Sequence, residues 1–357
     1  MALDLSQSSL DLTRAICDIP SVSGAEHELA DAIEQAVTGL AHLEVIRHGN
    51  TIVARTNLGR AQRVVIAGHI DTVPINANVP TRLIDVDGVP HLWGRGTVDM
   101  KGGVAVQLKL AVELVAPAID VTWMWYDNEE VAASLNGRNL LAADRPELFV
   151  ADFAILGEPS DGQVEGGCNG TLRAVVRTHG MRAHSARSWI GENAIHGAAP
   201  VLARLAEYRA REVSVEGLAY REGLSAVRIS GGIAGNVIPD LCEVEVNYRF
   251  APSKTAADAE AHVRDVFAGF EVEITDVADG ARPGLDAPIA QEFVAAVGAV
   301  PKPKYGWTDV ARFSALGVPA VNYGPGDPHL AHHDEERVPV AQIEAVERGL
   351  RAWLSGS

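Results

Sequence analysis

Lysine is scarce in this chain: 5 of its 30 basic residues, the other 25 being arginine, with no run of either. A basic tail or stripe is therefore absent, and a formal charge of −17 disfavours nucleic acid or an anionic membrane as the main partner. Cysteine is scarce too. Cys17, Cys168 and Cys242 are odd in number and lack metal-type spacing, so they read as reduced, buried thiols and exclude a disulfide scaffold or thiolate zinc site. Aromatic residues make up only 5%, and no apolar run approaches the roughly 18 residues of a membrane span. The N-terminal segment carries charge too early for a signal peptide, and a cytoplasmic location is expected. What the chain does have is 357 residues, 47% of them apolar. At roughly 100–200 residues per domain, that predicts about two self-sufficient domains.

Ser8 or Ser9 can cap a first helix ending before Pro20, and Ser23 with Glu26 forms a capping-box pattern opening a second. Strands are expected at Leu43–Arg47, Thr51–Arg55, Arg63–Gly68, Val121–Tyr126 and Asp152–Leu156, with a helix over about Val104–Ala116. Such apolar strands alternating with helices imply a sheet covered on both faces, hence α/β. After Cys168 the predicted order is strand Thr171–His179, helix Asn193–Arg211, strands Ser225–Ser230 and Leu241–Phe250, helix Ala256–Ala268 and strand Phe270–Asp276. This is β-α-β-β-α-β, a ferredoxin-like unit. The Gly/Pro-rich stretch Gly280–Pro288 reads as a return linker. Residues 169–282 are thus expected as a domain inserted into a larger one formed by 1–168 and 283–357.

Five short segments carry candidate chemistry. AGHIDTVP puts His69 and Asp71 at the carboxyl end of a strand; with period two both face one way, so Asp71 can hold the imidazole of His69. GRGTVDMKGG puts Asp99 in a glycine-dense loop before a helix, where it could also serve as an N-cap. YDNEE ends a strand with Glu129 and Glu130, which on an extended chain face opposite ways, one able to bind a metal while the other acts as base. LGEPSD places Glu158 beyond another strand end, where open α/β sheets bind ligands. LAHHDEERVPV supplies His332 and His333. Each segment alone suits an ordinary polar turn, but together they bring imidazoles and carboxylates to one end of one sheet. Such a donor set suits Zn²⁺, or Co²⁺ and Mn²⁺. Three carboxylates, Asp99, Glu130 and Glu158, bring −3, which two divalent ions turn net positive and one would leave over-neutralised.

HIDTVP, GRGTVDMKGG, YDNEE, LGEP and the late His332-to-Glu336 spacing resemble the co-catalytic di-zinc family of aminoacylases, carboxypeptidases and N-deacylases, in order over nearly the whole chain. Within it, CNGTLRAVVRTHGMRAHSARSWIGENAIH, GLSAVRISGGIAGNVIPD, VNYRFAP and KYGWTDVARF are most similar to the desuccinylase branch. The resemblance implies a di-zinc exopeptidase-like α/β domain with an inserted lid or dimerisation domain. It also implies a homodimer acting on a small N-acyl amino acid, N-succinyl-LL-2,6-diaminopimelate, to give succinate and LL-2,6-diaminopimelate for lysine and cell-wall synthesis. Alternatives are an acetylornithine-type deacylase, a dipeptidase or carboxypeptidase, or, in another class, a non-catalytic metal-binding scaffold.

Carried onto this chain, Asp99 would bridge two Zn²⁺, His69 and Glu158 would complete one site, and Glu130 and His332 the other. Glu129 would be the general base and Asp71 would orient His69. Relatives with H-x-x-D-E or H-x-x-N-E leave His333 a competitor to His332, which the spacing to Glu336 favours. His184 would reach the partner subunit's site and stabilise an oxyanion, and Asn236 and Arg249 would contact substrate. Arg182, Arg187 and Arg312 are further candidates for a substrate carboxylate, because guanidinium binds it in a bidentate way. Trp307 and Tyr323 can line a pocket or pack in the core.

Overall fold

The computed structural model describes residues 3–356. It divides into two compact units, one running to Gly166 and resuming over Gly284–Lys302 and from Arg312, the other Gly167–Pro283 with Pro303–Ala311. The expected insertion lies close to these bounds, but Pro303–Ala311 falls in the second unit instead of the larger one. No described helix is long and apolar enough to cross a membrane.

The chain opens with α1 (Ser9–Cys17), whose first turn is capped by the Ser8 side chain accepting from the Asp11 amide, and α2 (His27–Val37). Strands β1 (Glu44–His48), β2 (Thr51–Arg55) and β3 (Arg63–His69) follow, then a hairpin of β4 (Arg82–Val86) and β5 (Val89–Trp93) that the sequence pattern did not reveal. Helix α3 (Lys101–Glu113) starts three residues earlier than expected. Next come β6 (Asp120–Tyr126), α4 (Gly137–Asp144), β7 (Phe153–Leu156) and the two-residue β8 (Glu165–Gly166). Every residue of β6 and β7 is buried, so both faces of the sheet are covered, as near-continuous apolar strands require.

The second unit contains β9 (Gly170–His179), α5 (Ala194–Gly197), α6 (Ala199–Glu207), β10 (Glu212–Val215), β11 (Leu218–Arg221), β12 (Gly223–Gly231), β13 (Leu241–Phe250), α7 (Ala256–Val266) and β14 (Glu271–Ala278). Its antiparallel sheet runs β12-β13-β9-β14, the ferredoxin-like order. The helix expected over Asn193–Arg211 is instead two. Pro200, which has no amide proton to give, sits in the first turn of α6, and the chain beyond turns back as the β10–β11 hairpin through Glu216 and Gly217, both at positive φ. Burial alternates along β13 because one face packs on the cluster of Leu172, Val176, Val244, Tyr248 and Phe250.

The chain then returns through α8 (Pro288–Val297), β15 (Lys302–Pro303), α9 (Val310–Ala315), β16 (Ala320–Asn322), β17 (Arg337–Pro339) and α10 (Val340–Ser355). The larger unit's sheet is ordered β1-β2-β6-β3-β7-β16-β8-β15. In it β3 lies between β6 and β7, parallel to both, with His69 level with Tyr126 and Ala67 with Leu156. Three neighbouring strands therefore end together, with the chain departing to either side of β3. A crevice outside the carboxyl ends at such a switch point is where open α/β sheets bind ligands. Strand β17 pairs with β5 in a separate sheet β17-β5-β4, which fixes the segment ending at Glu336 beside Gly94–Asp99.

Candidate metal centre

His69, the last residue of β3, is buried. Its Nδ1 lies 3.0 Å from the Asp71 carbonyl oxygen, which can only accept, so Nδ1 carries a proton and Nε2 is the nitrogen turned to Asp99. The Asp71 carboxylate was expected to hold this ring. It stands 3.5 Å away and is shared: it also accepts from the amides of Glu129 at 3.0 Å and Glu130 at 3.1 Å. Asp71 thus joins the end of β3 to the loop after β6.

Asp99 is set by a different device. The buried carboxylate of Glu336 accepts from the amides of Val98 (2.9 Å) and Asp99 (3.0 Å) through one oxygen and from Arg95 Nη1 (2.8 Å) through the other. Lys101 Nζ donates to the carbonyls of Ile16 and Ile19, anchoring the start of α3. Asp99 caps nothing; Met100 occupies the cap position, without a side-chain bond. At Gly103 a Cβ would come 2.2 Å from the Gly157 carbonyl oxygen, so the glycine lets α3 press against the turn that carries Glu158. Sequence reasoning reached Glu336 only through its spacing from His332 and missed Arg95, although Arg95 stands within GRGTVDMKGG; a lone arginine among glycines gives no sign of a distant glutamate.

The two Asp99 carboxylate oxygens face different imidazoles: Oδ1 is 3.0 Å from His69 Nε2 and Oδ2 is 3.3 Å from His332 Nε2. His332 Nε2 is also 2.9 Å from Glu130 Oε1. Donor atoms of His69, Asp99 and Glu158 lie within 4.8 Å of one another, as do those of Asp99, Glu130 and His332, and also His69, Glu129 and Glu130. A tetrahedral ion with bonds of about 2.0–2.1 Å holds its donors roughly 3.3 Å apart, so nitrogen and carboxylate donors at this spacing suit zinc. Glu129 and Glu130 follow Asn128, whose φ of 58° departs from an extended run, and one carboxylate oxygen of each lies within 4.8 Å of the other and of a His69 ring nitrogen.

Of the paired histidines, His332 faces Asp99 and Glu130, at φ 64°, a left-handed backbone a histidine rarely adopts. His333 Nδ1 instead accepts from the Glu335 amide. Asp99 and Glu130 beside it raise His332 to about 10. Burial opposes the charged form of His69, yet Asp71 and Asp99 hold it well above the ordinary histidine value. Burial likewise opposes ionisation of Asp99, and the two imidazoles pull it well below the usual carboxylate range. The carboxylates are thus matched to positive charge held among them.

His184, Asn236, Arg182, Arg187 and Arg249 belong to the second unit. His184 caps a short 3₁₀ turn: its Nδ1 accepts from the Ala186 amide, which leaves the proton of the neutral ring on Nε2. The Ser185 amide donates to the Asn236 carbonyl, placing those two segments side by side. Arg182 is paired with Asp240 at 2.7 Å, and Arg249 Nε donates to Asn247 Oδ1. Arg187 interrupts the 3₁₀ turn with a non-helical backbone. Arg312 lies in α9, Trp307 Nε1 donates to the Asp279 carbonyl, and Tyr323 packs edge-on against Phe293 in the core.

A family model described as peptidase family M20/M25/M40 matches residues 65–355. A putative succinyl-diaminopimelate desuccinylase from Mycobacterium tuberculosis (strain ATCC 25618 / H37Rv) is 53% identical over 357 residues, covering 99% of this chain and 100% of that protein. A succinyl-diaminopimelate desuccinylase from Corynebacterium glutamicum is 46% identical over 364 residues, covering 99% and 98%. Among solved structures, a tripeptidase from Staphylococcus aureus superposes with a TM-score of 0.77 at 20% identity, covering 99% of both chains, which shows the shared fold. The chain belongs to the M20/M25/M40 peptidase family, whose members are metal-dependent hydrolases.

Proposed function

We propose that this M20-family hydrolase is a succinyl-diaminopimelate desuccinylase: N-succinyl-LL-2,6-diaminopimelate and water give succinate and LL-2,6-diaminopimelate. The substrate assignment is supported by two relatives of that name that are 53% and 46% identical over 99% of the chain. The chemical reading is carried by one observation, the Asp99 carboxylate turned with one oxygen to each of two imidazoles. Asp99, with His69 and Glu158 on one side and Glu130 and His332 on the other, would hold two divalent ions, with Zn²⁺ favoured by the donors and Co²⁺ or Mn²⁺ able to replace it. Bound there, such ions lower the pKa of water from 15.7 toward about 7 and polarise the scissile carbonyl.

The chain's own groups do the rest. Asp71 holds the amides of Glu129 and Glu130, which fixes the base loop. The Glu129 carboxylate takes a proton from the attacking water at Oε and delivers it to the departing amine nitrogen, so that succinate and free amine leave without net proton loss at the enzyme. In the homodimer His184 would reach the partner subunit's site and donate from Nε2 to the oxyanion, a contribution worth about 2.7–4 kcal/mol for such donors elsewhere. Asn236, Arg249, Arg182 and Arg312 supply donors for the substrate's carboxylates.

A cytoplasmic homodimer completes the proposal. Cys17, Cys168 and Cys242 are all free and buried. Strand β12 is the edge of the second unit's sheet, and Val227 (63%), Ile229 (50%) and nearby Ile233 (69%) expose apolar surface that a second copy would cover. The test is an assay of metal-loaded protein against succinyl-diaminopimelate, acetylornithine and short peptides. The proposal requires kcat/KM for the first to exceed the others by at least about 10²-fold, a discrimination of roughly 2.7 kcal/mol. Comparable or higher turnover of acetylornithine or a peptide would reassign the substrate.

A further inference from the structure

Ser23 and Glu26 carry the pattern of a capping box, but they cap no helix. Helix α2 begins at His27 with no side-chain cap bond. The segment before it is stitched to the end of β3 instead: Ser21 Oγ donates to the Ile70 carbonyl (2.6 Å), the Thr72 amide to Ser21 O (2.9 Å) and the Ser23 amide to Thr72 O (3.2 Å). This pairing lays Ser23 and Glu26 against the loop that bears Glu129. Ser23 Oγ donates to Asp71 Oδ2 at 2.8 Å, on the carboxylate that accepts the Glu129 and Glu130 amides. Glu26 Oε1 accepts from the amides of Gly24 (2.8 Å) and Asn128 (3.2 Å).

Three consecutive amides, those of Asn128, Glu129 and Glu130, therefore end on two carboxylates from two other parts of the chain. The first of the three residues, Asn128, sits at φ 58°, a left-handed backbone that asparagine tolerates better than most residues, and its amide is the one that meets Glu26. Glu26 is fully buried, and its Oε2 has no hydrogen-bond partner among the described residues. A carboxylate that merely began a helix would lie in water; burial with one oxygen unmatched opposes folding. The position makes sense if the carboxylate sets the Asn128 backbone.

We propose that Glu26, assisted by Ser23, is a positioning residue for the general base: together with Asp71 it fixes the backbone of Asn128–Glu130 and hence the direction of the Glu129 carboxylate. This rests on the reading of Glu129 as base. Because misplacement of a catalytic group by about 1 Å costs up to roughly 10²-fold, Glu26→Ala is expected to lower kcat by about 10- to 10²-fold, with KM changed less than about threefold and bound metal unchanged. Glu26→Gln keeps the accepting Oε1 and is expected to retain at least about a third of the parent kcat. In a Glu129→Gln background, Glu26→Ala should cost less than about twofold more, since residues that act through one group are not additive.

The proposal is overturned if Glu26→Ala turns over within about twofold of the parent, if Glu26→Gln is as damaging as Ala, or if the Glu26→Ala loss persists in full without Glu129. Should Glu26→Ala fail to fold, Ser23→Ala tests the same link from its other side. A fall of about three- to tenfold in kcat at near-constant KM supports the proposal, and an unchanged kcat overturns it. Normal turnover by Glu129→Gln alone would remove the base reading itself, a result separate from any behaviour of Glu26.

Discussion

In the second unit, the buried carboxylate of Glu222 is met by Lys254 Nζ at 2.6 Å, by the Tyr248 hydroxyl and by the Ala251 amide. In the first, the carboxylate of Asp99 is met by the imidazoles of His69 and His332, with Glu130 and Glu158 crowded alongside. Both clusters are polar, and His332 of the first is exposed while Glu222 of the second is buried, yet only the first is balanced by groups that are also good metal donors. Glu222 is completed by an ammonium group paired with it inside the same unit; burial favours the neutral form of the carboxyl, but Lys254 and the Ala251 amide outweigh that and pull it below the usual range. Asp99 has donors whose protons a metal ion can replace. A buried charge cluster is thus read as structural or functional by what balances it, more than by how deep it lies.

Substitutions at the two clusters should therefore separate chemistry from stability. The largest effect is expected from Glu129→Gln, which should leave metal content unchanged and lower kcat by at least about 10³-fold, as removal of a positioned acid–base group does. Activity within tenfold of the parent would contradict its role. Next, His332→Ala should lower kcat/KM by about 10²-fold or more and halve bound metal, while His333→Ala, whose ring caps the Glu335 amide, should stay within about threefold. The reverse order would exchange the two histidines.

On the self-balanced side the expected change is in stability, not in chemistry. Lys254→Ala leaves Glu222 buried without its cation and should cost on the order of 3 kcal/mol in urea unfolding, with little change in metal content. The smallest effect concerns pH. Glu222 is held below its unfolded value, so its contribution is present above about pH 4.5 and is lost as pH falls through the lower folded value. Glu222→Gln should therefore flatten the acid side of the stability profile; an unchanged acid limb would show that other carboxylates set it.

Much of this was legible from the chain itself. Strand β2 and strand β13 fall on their expected residues, the first as a short apolar, β-branched run and the second by strict alternation of buried and less buried residues. The converging residues His69, Asp99, Glu130, Glu158 and His332 were visible because each follows a strand or a glycine-rich turn. What the pattern hid was backbone geometry. Left-handed φ at Asn128 and His332 leaves no local pattern in the sequence, although asparagine and histidine adopt it more readily than most residues. Ser23 and Glu26 were misread because a capping box and a long-range clamp use the same residue types; only the fold distinguishes an amide three residues away from one a hundred residues away. The hairpins β4–β5 and β10–β11 were missed because their strands are four or five residues long and bury at most two residues each, such as Leu92 and Trp93 of β5 and Tyr220 of β11.

The most direct test of the proposed two-metal centre is the zinc stoichiometry of the parent chain against Asp99→Ala, measured by titration of the metal-free protein and by elemental analysis. Two equivalents bound by the parent, with at most one retained after Asp99→Ala while the fold is kept, is the expected result. One equivalent in the parent, or two in both proteins, would contradict an aspartate shared between two ions.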